Sequence, residues 1–305
     1  MIKAGSWISL MALLFLSACM SNPIDCELHM VTTVPLEVHN RLLVVPAGIN
    51  GKWVRLLVDT GAERTALSTT TADRLGLARD QDNMTKMTGV GGTYTAHDAI
   101  IPGLVLGGWR FPLERLPVNH LRLGPGLEVD GLLGADVLLA YDLDINVPEQ
   151  TLTLYRPRRC PDIRPPWTER ADRVPGVRTF RDRLLIPLSL DGVEGMAILD
   201  TGAQATTIGR GMAVRLGLTQ DILSRDRVVE QHGAGPGSTA ARLHRFTQLQ
   251  VGPARAINPV LAVMPNDIGA GDALVGEDFI NGHRIWMSFS NREVFISGLE
   301  SEPAP

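Results

Sequence analysis

The chain has 305 residues, 44% hydrophobic and 20% charged, a balance that excludes a disordered or collagen-like polymer. At about 150 residues per domain, this length predicts two domains and a sizeable core. Basic residues number 29 against 33 acidic ones, a net charge of −4, so no global basic field points to nucleic acid as a partner. Three cysteines are too few for a disulfide-built scaffold.

The N-terminus reads as an address. Lys3 precedes an apolar run from Trp7 to Ala18 that is too short for a comfortable membrane span and ends in small residues, the layout of a secretory signal. Leu16-Ser17-Ala18-Cys19 resembles the lipobox of bacterial lipoproteins. The resemblance implies a signal peptide over 1–18, lipidation of Cys19 and a tether over 19–27. The chain would then sit in the bacterial envelope, anchored to a bilayer through Cys19 and facing the periplasm. Met20, where inner-membrane retention signals place Asp, favours the outer membrane. A plain secretory signal or an uncleaved anchor is the alternative. Cys26 and Cys160 would then share an oxidising compartment, where a disulfide closing the ends of the first domain and two free thiols both fit the sequence.

Beyond the address, the chain repeats itself. DTGAERTALSTTTADRLGLARD (59–80) matches DTGAQATTIGRGMAVRLGLTQD (200–221) at 11 of 22 positions, with an offset of 141. Upstream, RLLVVPAGING (41–51) parallels RLLIPLSLDG (183–192), and downstream GLLGADVL (131–138) parallels ALVGEDFI (273–280). Short alternating apolar runs between turn signals make each copy mostly β. Asn50-Gly51 and Asp191-Gly192 suit type I′ turns, so each closes a hairpin whose second strand enters the DTGA. Short helices follow over 68–77 and 209–218, and strand pairs close each copy at 141–147 with 151–155 and at 285–289 with 293–297. The predicted domains are 28–157 and 177–298, with a tail over 299–305. The linker 158–176 lies in a proline-rich stretch that carries five prolines over 156–176, which predict irregular structure. The excess of arginine over 156–183 is read as solvated, with contact to an anionic membrane as the alternative.

Asp-Thr-Gly-Ala after an apolar strand resembles the active-site loop of aspartic proteases, in the retropepsin-like branch that carries Ala after the glycine. Two such loops, each followed by an apolar-apolar-Gly (Leu132-Leu133-Gly134 and Leu274-Val275-Gly276), extend the resemblance over about residues 28–298. It implies an all-β fold of two tandem retropepsin-like β-barrel lobes in a bilobal, pseudo-twofold, pepsin-like architecture. It also implies a monomer whose lobes pair within one chain, an aspartic endopeptidase with no cofactor and an extended polypeptide as substrate. Asp59 and Asp200 would form the catalytic dyad: two carboxylates about 3 Å apart share one proton, so one serves as base toward water and the other as acid toward the carbonyl oxygen.

The neighbours follow from the same resemblance. Thr60 and Thr201 would hydrogen-bond across the lobes. Gly61 and Gly202 would let the chain turn and aim N–H groups at the carboxylates. Ala62 and Ala203 bring no hydroxyl donor, which predicts a less acidic optimum than pepsin's. Flap hairpins are expected at Gly89, Gly91 and Gly92 with Tyr94, and at Gly233 and Gly235, with ordinary surface hairpins as the alternative. Retroviral enzymes follow the apolar-apolar-Gly with Arg, whereas Ala135 and Glu277 stand here, so the interface must be braced differently. Asp136 and Asp278 are expected to cap the helices that follow. Glu63 and Gln204 either shape subsites or lie on the surface. No HExxH or paired Cys/His spacing supports a metal, and no GxSxG supports a serine hydrolase. A peptide-gripping module without catalysis, and a protease that cuts its own linker, are the rival readings.

Overall fold

The computed structural model describes residues 26–90, 92–121, 128–158, 160, 162–167, 170–179, 183–233 and 237–297. The signal segment, Cys19, Gly91, Gly235 and the tail over 299–305 lie outside them. Two lobes each hold one copy of the repeat. Both predicted hairpins form, Leu42–Ile49 with Lys52–Val58 and Leu184–Leu190 with Val193–Leu199. Their turns adopt positive φ at Asn50 (51°), Gly51 (71°), Asp191 (47°) and Gly192 (80°), as a type I′ turn demands. The short helices are Thr69–Arg74 and Arg210–Arg215.

The strand bearing the apolar-apolar-Gly organises each lobe. Gly131–Leu133 runs parallel to Lys52–Val58 and antiparallel to Ala66–Ser68. In the second lobe Ala273–Val275 runs parallel to Val193–Leu199 and antiparallel to Thr207–Ile208. The DTGA loop is therefore the bend between two strands that both pair with this third one. Each of these strands is buried, from Leu56, Leu57 and Val58 to Ala197, Ile198 and Leu199, so the loop stands on packed core.

A six-stranded sheet joins the lobes, in the order Glu27–Pro35, Thr151–Arg158, Asp142–Asn146, Arg284–Ser288, Glu293–Ser297, Ala171–Pro175. Its central pairing crosses between copies, with Leu143 opposite Met287 and Ile145 opposite Ile285. Arg284 forks onto Asp144 (Nε 2.9 Å, Nη2 2.8 Å), a geometry with strong directional preference. This sheet is the brace that replaces the arginine of the retroviral pattern.

The linker departs from expectation. Ala171–Pro175 is an edge strand paired with Glu293–Ser297, where proline is tolerated because its missing N–H faces away from the ladder. Ile163 and Trp167 pack with Trp286 and Phe295. Nor is the arginine run simply solvated: Arg173 pairs with Glu293, Arg183 with Glu63, and Arg156 lies over the Tyr141 ring.

Cys26 and Cys160 are bonded, so the disulfide alternative holds. They flank the paired ends Glu27 and Arg158, and the crosslink closes a sequence separation of 134. By chain entropy its loss costs about 5 kcal/mol. A Cys26→Ser/Cys160→Ser double variant is therefore expected to unfold at a clearly lower denaturant midpoint than wild type, and an unchanged midpoint would refute that estimate.

Candidate active site

Both DTGA loops are suspended by the same bonds. Asp59 N donates to Leu133 O (3.0 Å) and Asp200 N to Val275 O (2.9 Å). Past the glycine, Ala135 N donates to Ala62 O (2.9 Å) and Glu277 N to Ala203 O (2.8 Å). Asp136 and Asp278 do not cap the helices, whose N-caps are Gly134 and Gly276 without a side-chain bond. Instead Asp136 Oδ1 accepts from Thr65 N (2.7 Å) and Oγ1 (2.6 Å), and Asp278 Oδ1 from Thr206 N and Oγ1 (both 2.8 Å). A carboxylate at the second helical position points back toward the loop, where two donors outcompete solvent. Thr65 and Thr206 were missed by motif reasoning, although they are identical residues in register at the repeat offset.

The lobes meet in a reciprocal grip. Thr60 Oγ1 donates to Leu199 O (2.6 Å) and accepts from Thr201 N (3.1 Å). Thr201 Oγ1 donates to Val58 O (2.7 Å) and accepts from Thr60 N (3.1 Å). Thr201 is fully buried and Thr60 nearly so, leaving these bonds no competition from water. The glycines matter by their missing Cβ rather than by an unusual φ: a Cβ on Gly61 would stand 2.5 Å from the Asp200 carboxyl, and one on Gly202 would collide likewise with Asp59. Each loop thus presses its backbone against the opposite aspartate.

The two carboxyls are hydrogen-bonded to one another. Burial raises Asp59 well above the ordinary carboxylate range, the Asp200 charge adds to this, and the Ala62 and Gly61 N–H groups oppose it. Burial raises Asp200 too, but there the Gly202 N–H and then the Arg183 guanidinium pull the other way. Ala62 N reaches Asp59 Oδ1, and Gly202 N reaches Asp200 Oδ1, both at 2.8 Å. Asp200 therefore has more around it that favours the charged form than Asp59 has, and the two titrate as a pair. Arg183 also pairs with Glu63 (3.4 Å), so Glu63 is a partner for this cation, whereas Gln204 is exposed. Arg183 carried a signal in the sequence, since it opens the RLL of the repeat opposite Arg41.

Hairpins occur at both flap positions. Arg79–Gly89 pairs with Gly92–Ile100 as far as Gly89 opposite Gly92. Arg227–Gln231 pairs with Thr239–Arg245 around the Gly233 loop. Their tips meet: Thr239 Oγ1 donates to Val90 O (2.8 Å), and Val90 packs on the Ala241, Ala262 and Met264 cluster of the second lobe. Burial raises the Tyr94 hydroxyl, which has no bonding partner. Among the described residues no group of three or more His, Cys, Asp or Glu could hold a metal ion.

A family model described as "Aspartyl protease" matches residues 45–137 and again 186–279. No curated protein matches the sequence. Among solved structures the chain is similar to the aspartic proteinase from Irpex lacteus, with 15% identity and a TM-score of 0.52 over 90% of this chain and 98% of that one, a likeness of fold. Since the family model covers more than half of the residues and falls once on each copy, with a DTGA loop inside both matches, the chain belongs to the aspartyl protease family.

Proposed function

We propose that the protein is an aspartic endopeptidase in which Asp59 and Asp200 activate water against an extended polypeptide. The carrying observation is the grip, which locks two mutually hydrogen-bonded carboxyls with unequal surroundings. Asp200, beside Arg183, takes a proton from water as the oxygen attacks the amide carbon, and Asp59 gives its proton to the carbonyl oxygen. Collapse of the tetrahedral intermediate breaks the C–N bond: Asp200 passes the proton it took to the leaving amine nitrogen, and Asp59 takes a proton back from the gem-diol hydroxyl as the carboxylic acid forms, which restores the pair. The hairpins whose tips meet at Val90 serve as flaps, which must part to admit substrate. Lipid attachment through Cys19, an outer-membrane location and a monomeric state complete the proposal, and the first two rest on residues 1–20.

The test is cleavage of an unfolded protein between pH 3 and 8 by the wild-type chain beside Asp59→Asn and Asp200→Asn. Equal cutting by all three, or none by wild type on any peptide library, would favour a gripping module without catalysis.

The pH profile is a second check. Catalysis needs one proton on the pair, and burial raises both groups, so the singly protonated form persists to higher pH than for ordinary carboxylates. Pepsin's pair titrates near 1.5 and 4.7. The basic limb of kcat/KM is expected at least about one unit above pepsin's, and a limb at or below that of pepsin would overturn the argument.

A further inference from the structure

One face of the first lobe departs from the repeat. In the sheet that holds Lys52–Val58, Trp53 stands opposite Gly48, Gly48 opposite Val105, and Val105 opposite Arg110. The second lobe has the same row in the same register, as Glu194, Ser189, Gln250 and Arg255. Directly opposed residues share a face, and none of these eight is buried, so each row crosses the outside of its lobe.

The second lobe carries what a solvated sheet face ordinarily carries. The first has Trp, Gly and Val at the three places where the second has Glu, Ser and Gln. Trp53 is 77% exposed. Trp109, on the strand Trp109–Phe111 that ends this sheet, is 38% exposed where the second lobe has Ala254. The other described tryptophans, Trp167 and Trp286, pack with Ile163 and Phe295 instead. Since the same sheet forms with polar residues at these places, its stability does not require the two exposed indoles.

Charge shifts with them. Lys52 and Arg55 stand beside Trp53 where Val193 and Met196 stand beside Glu194. Arg55 is answered by Glu37 (3.0 Å). Arg110 bonds the Pro102 carbonyl, and neither it nor Lys52 pairs with an acid among the described residues. Two cations are therefore left over on the first lobe, whereas Glu194 and Arg255 cancel on the second.

We propose that this face of the first lobe lies on an anionic lipid bilayer. Indoles gather at the boundary between headgroups and acyl chains, where an apolar ring with a polar edge is at home, and Lys and Arg beside them meet the lipid phosphates. The start of the folded chain fits this placement. Seven residues separate Cys19 from Cys26, at most about 25 Å when extended, so a chain held at Cys19 keeps its first lobe within that reach of the headgroups. The strand Glu27–Pro35 then runs beside the turn before Trp109, with Thr32 Oγ1 donating to Gly107 O (2.8 Å). A second copy suits the face less well, because a twofold contact sets the same cations against each other. The inference rests on the proposed membrane attachment and adds to it which side of the protein is turned to the lipid.

The experiment follows tryptophan emission of the full chain carrying Trp7→Phe, on vesicles whose phospholipid acyl chains are brominated and quench an indole that reaches them. On phosphatidylglycerol mixed into phosphatidylcholine, quenching is expected. Trp53→Glu/Trp109→Ala should abolish it yet melt as wild type does, since it carries the second lobe's residues at both places. Lys52→Val/Arg110→Ala keeps both indoles and should lower the bound-to-free ratio of this face by about 10-fold, as should phosphatidylcholine alone. The inference fails if brominated lipid leaves wild-type emission unchanged or if either variant is quenched as wild type is. It also fails if wild type alone dimerises in sedimentation and the dimer is not quenched. The mass of the Cys19 peptide reads the attachment separately. An acylated chain without quenching refutes the inference and leaves the anchor standing, and a quenched chain without acylation does the reverse.

Discussion

Asp59→Asn and Asp200→Asn are each expected to lower kcat/KM by at least about 1,000-fold while leaving the protein folded. Asparagine keeps the size of the side chain and an oxygen for the N–H groups of Ala62 or Gly202, so the loop geometry survives. What it loses is the shared proton. In Asp59→Asn the acid is missing, and the Asp200 carboxylate has no partner to protonate the carbonyl oxygen. In Asp200→Asn the base is missing, because an amide cannot take a proton from water. The pair acts as a unit, so the double variant should be little worse than either single one.

Stability supplies the control that separates lost chemistry from a lost fold. Both carboxyls have folded-state pKa values raised above their unfolded ones. Such groups stabilise the fold fully below the unfolded value near 4 and lose that contribution as pH rises through the folded one. At pH 7 the wild type has lost part of it and the Asn variants have nothing to lose. Their thermal midpoints should match wild type near pH 4 and equal or exceed it at pH 7. An inactive variant that also melts lower at pH 7 would mean that the aspartate holds the loop, not that it does the chemistry.

Much of the site was legible because its parts are local and repeated. A type I′ turn is written in two residues, Asn50-Gly51 or Asp191-Gly192, and a strand feeding DTGA is written in the alternation before it. Duplication at an offset of 141 then tells which loops pair, information a single motif lacks. The parts that were not legible depend on partners far along the chain. Asp136 at the second position of a helix reads as a cap by neighbourhood, yet Thr65, 71 residues earlier, offers it two donors. Five prolines argue against a strand, yet at a sheet edge the missing N–H costs nothing, and Ala171–Pro175 pairs there. The crossing of Asp142–Asn146 with Arg284–Ser288 is a pairing of two lobes, and no periodicity within either one announces it. Arg183 and Val90 gain their importance from what the folded chain places beside them: Asp200 and Glu63 in one case, the second-lobe cluster in the other.

Thr201→Val is expected to destabilise the protein by roughly 3 to 5 kcal/mol, while Thr201→Ser stays within about 1 kcal/mol of wild type. Valine has the shape of threonine, so no cavity opens and the difference reports the hydroxyl. That hydroxyl is the acceptor for Thr60 N and the donor to Val58 O, both in the buried lobe interface. Removing it orphans one N–H and one C=O at once, each costing about 1 to 3 kcal/mol. Serine restores both bonds and gives up only a methyl. Thr60→Val should behave alike, since Leu199 O and Thr201 N depend on its hydroxyl in the same way. A second readout follows from what the grip holds. If it parts, Asp59 and Asp200 move apart, their mutual repulsion weakens and the two limbs of the pH profile draw together, which Thr201→Ser should not cause. Equal denaturation midpoints for the valine and serine variants would show that water replaces the hydroxyl, and that the aspartates are held by the six-stranded sheet rather than by the threonines between them.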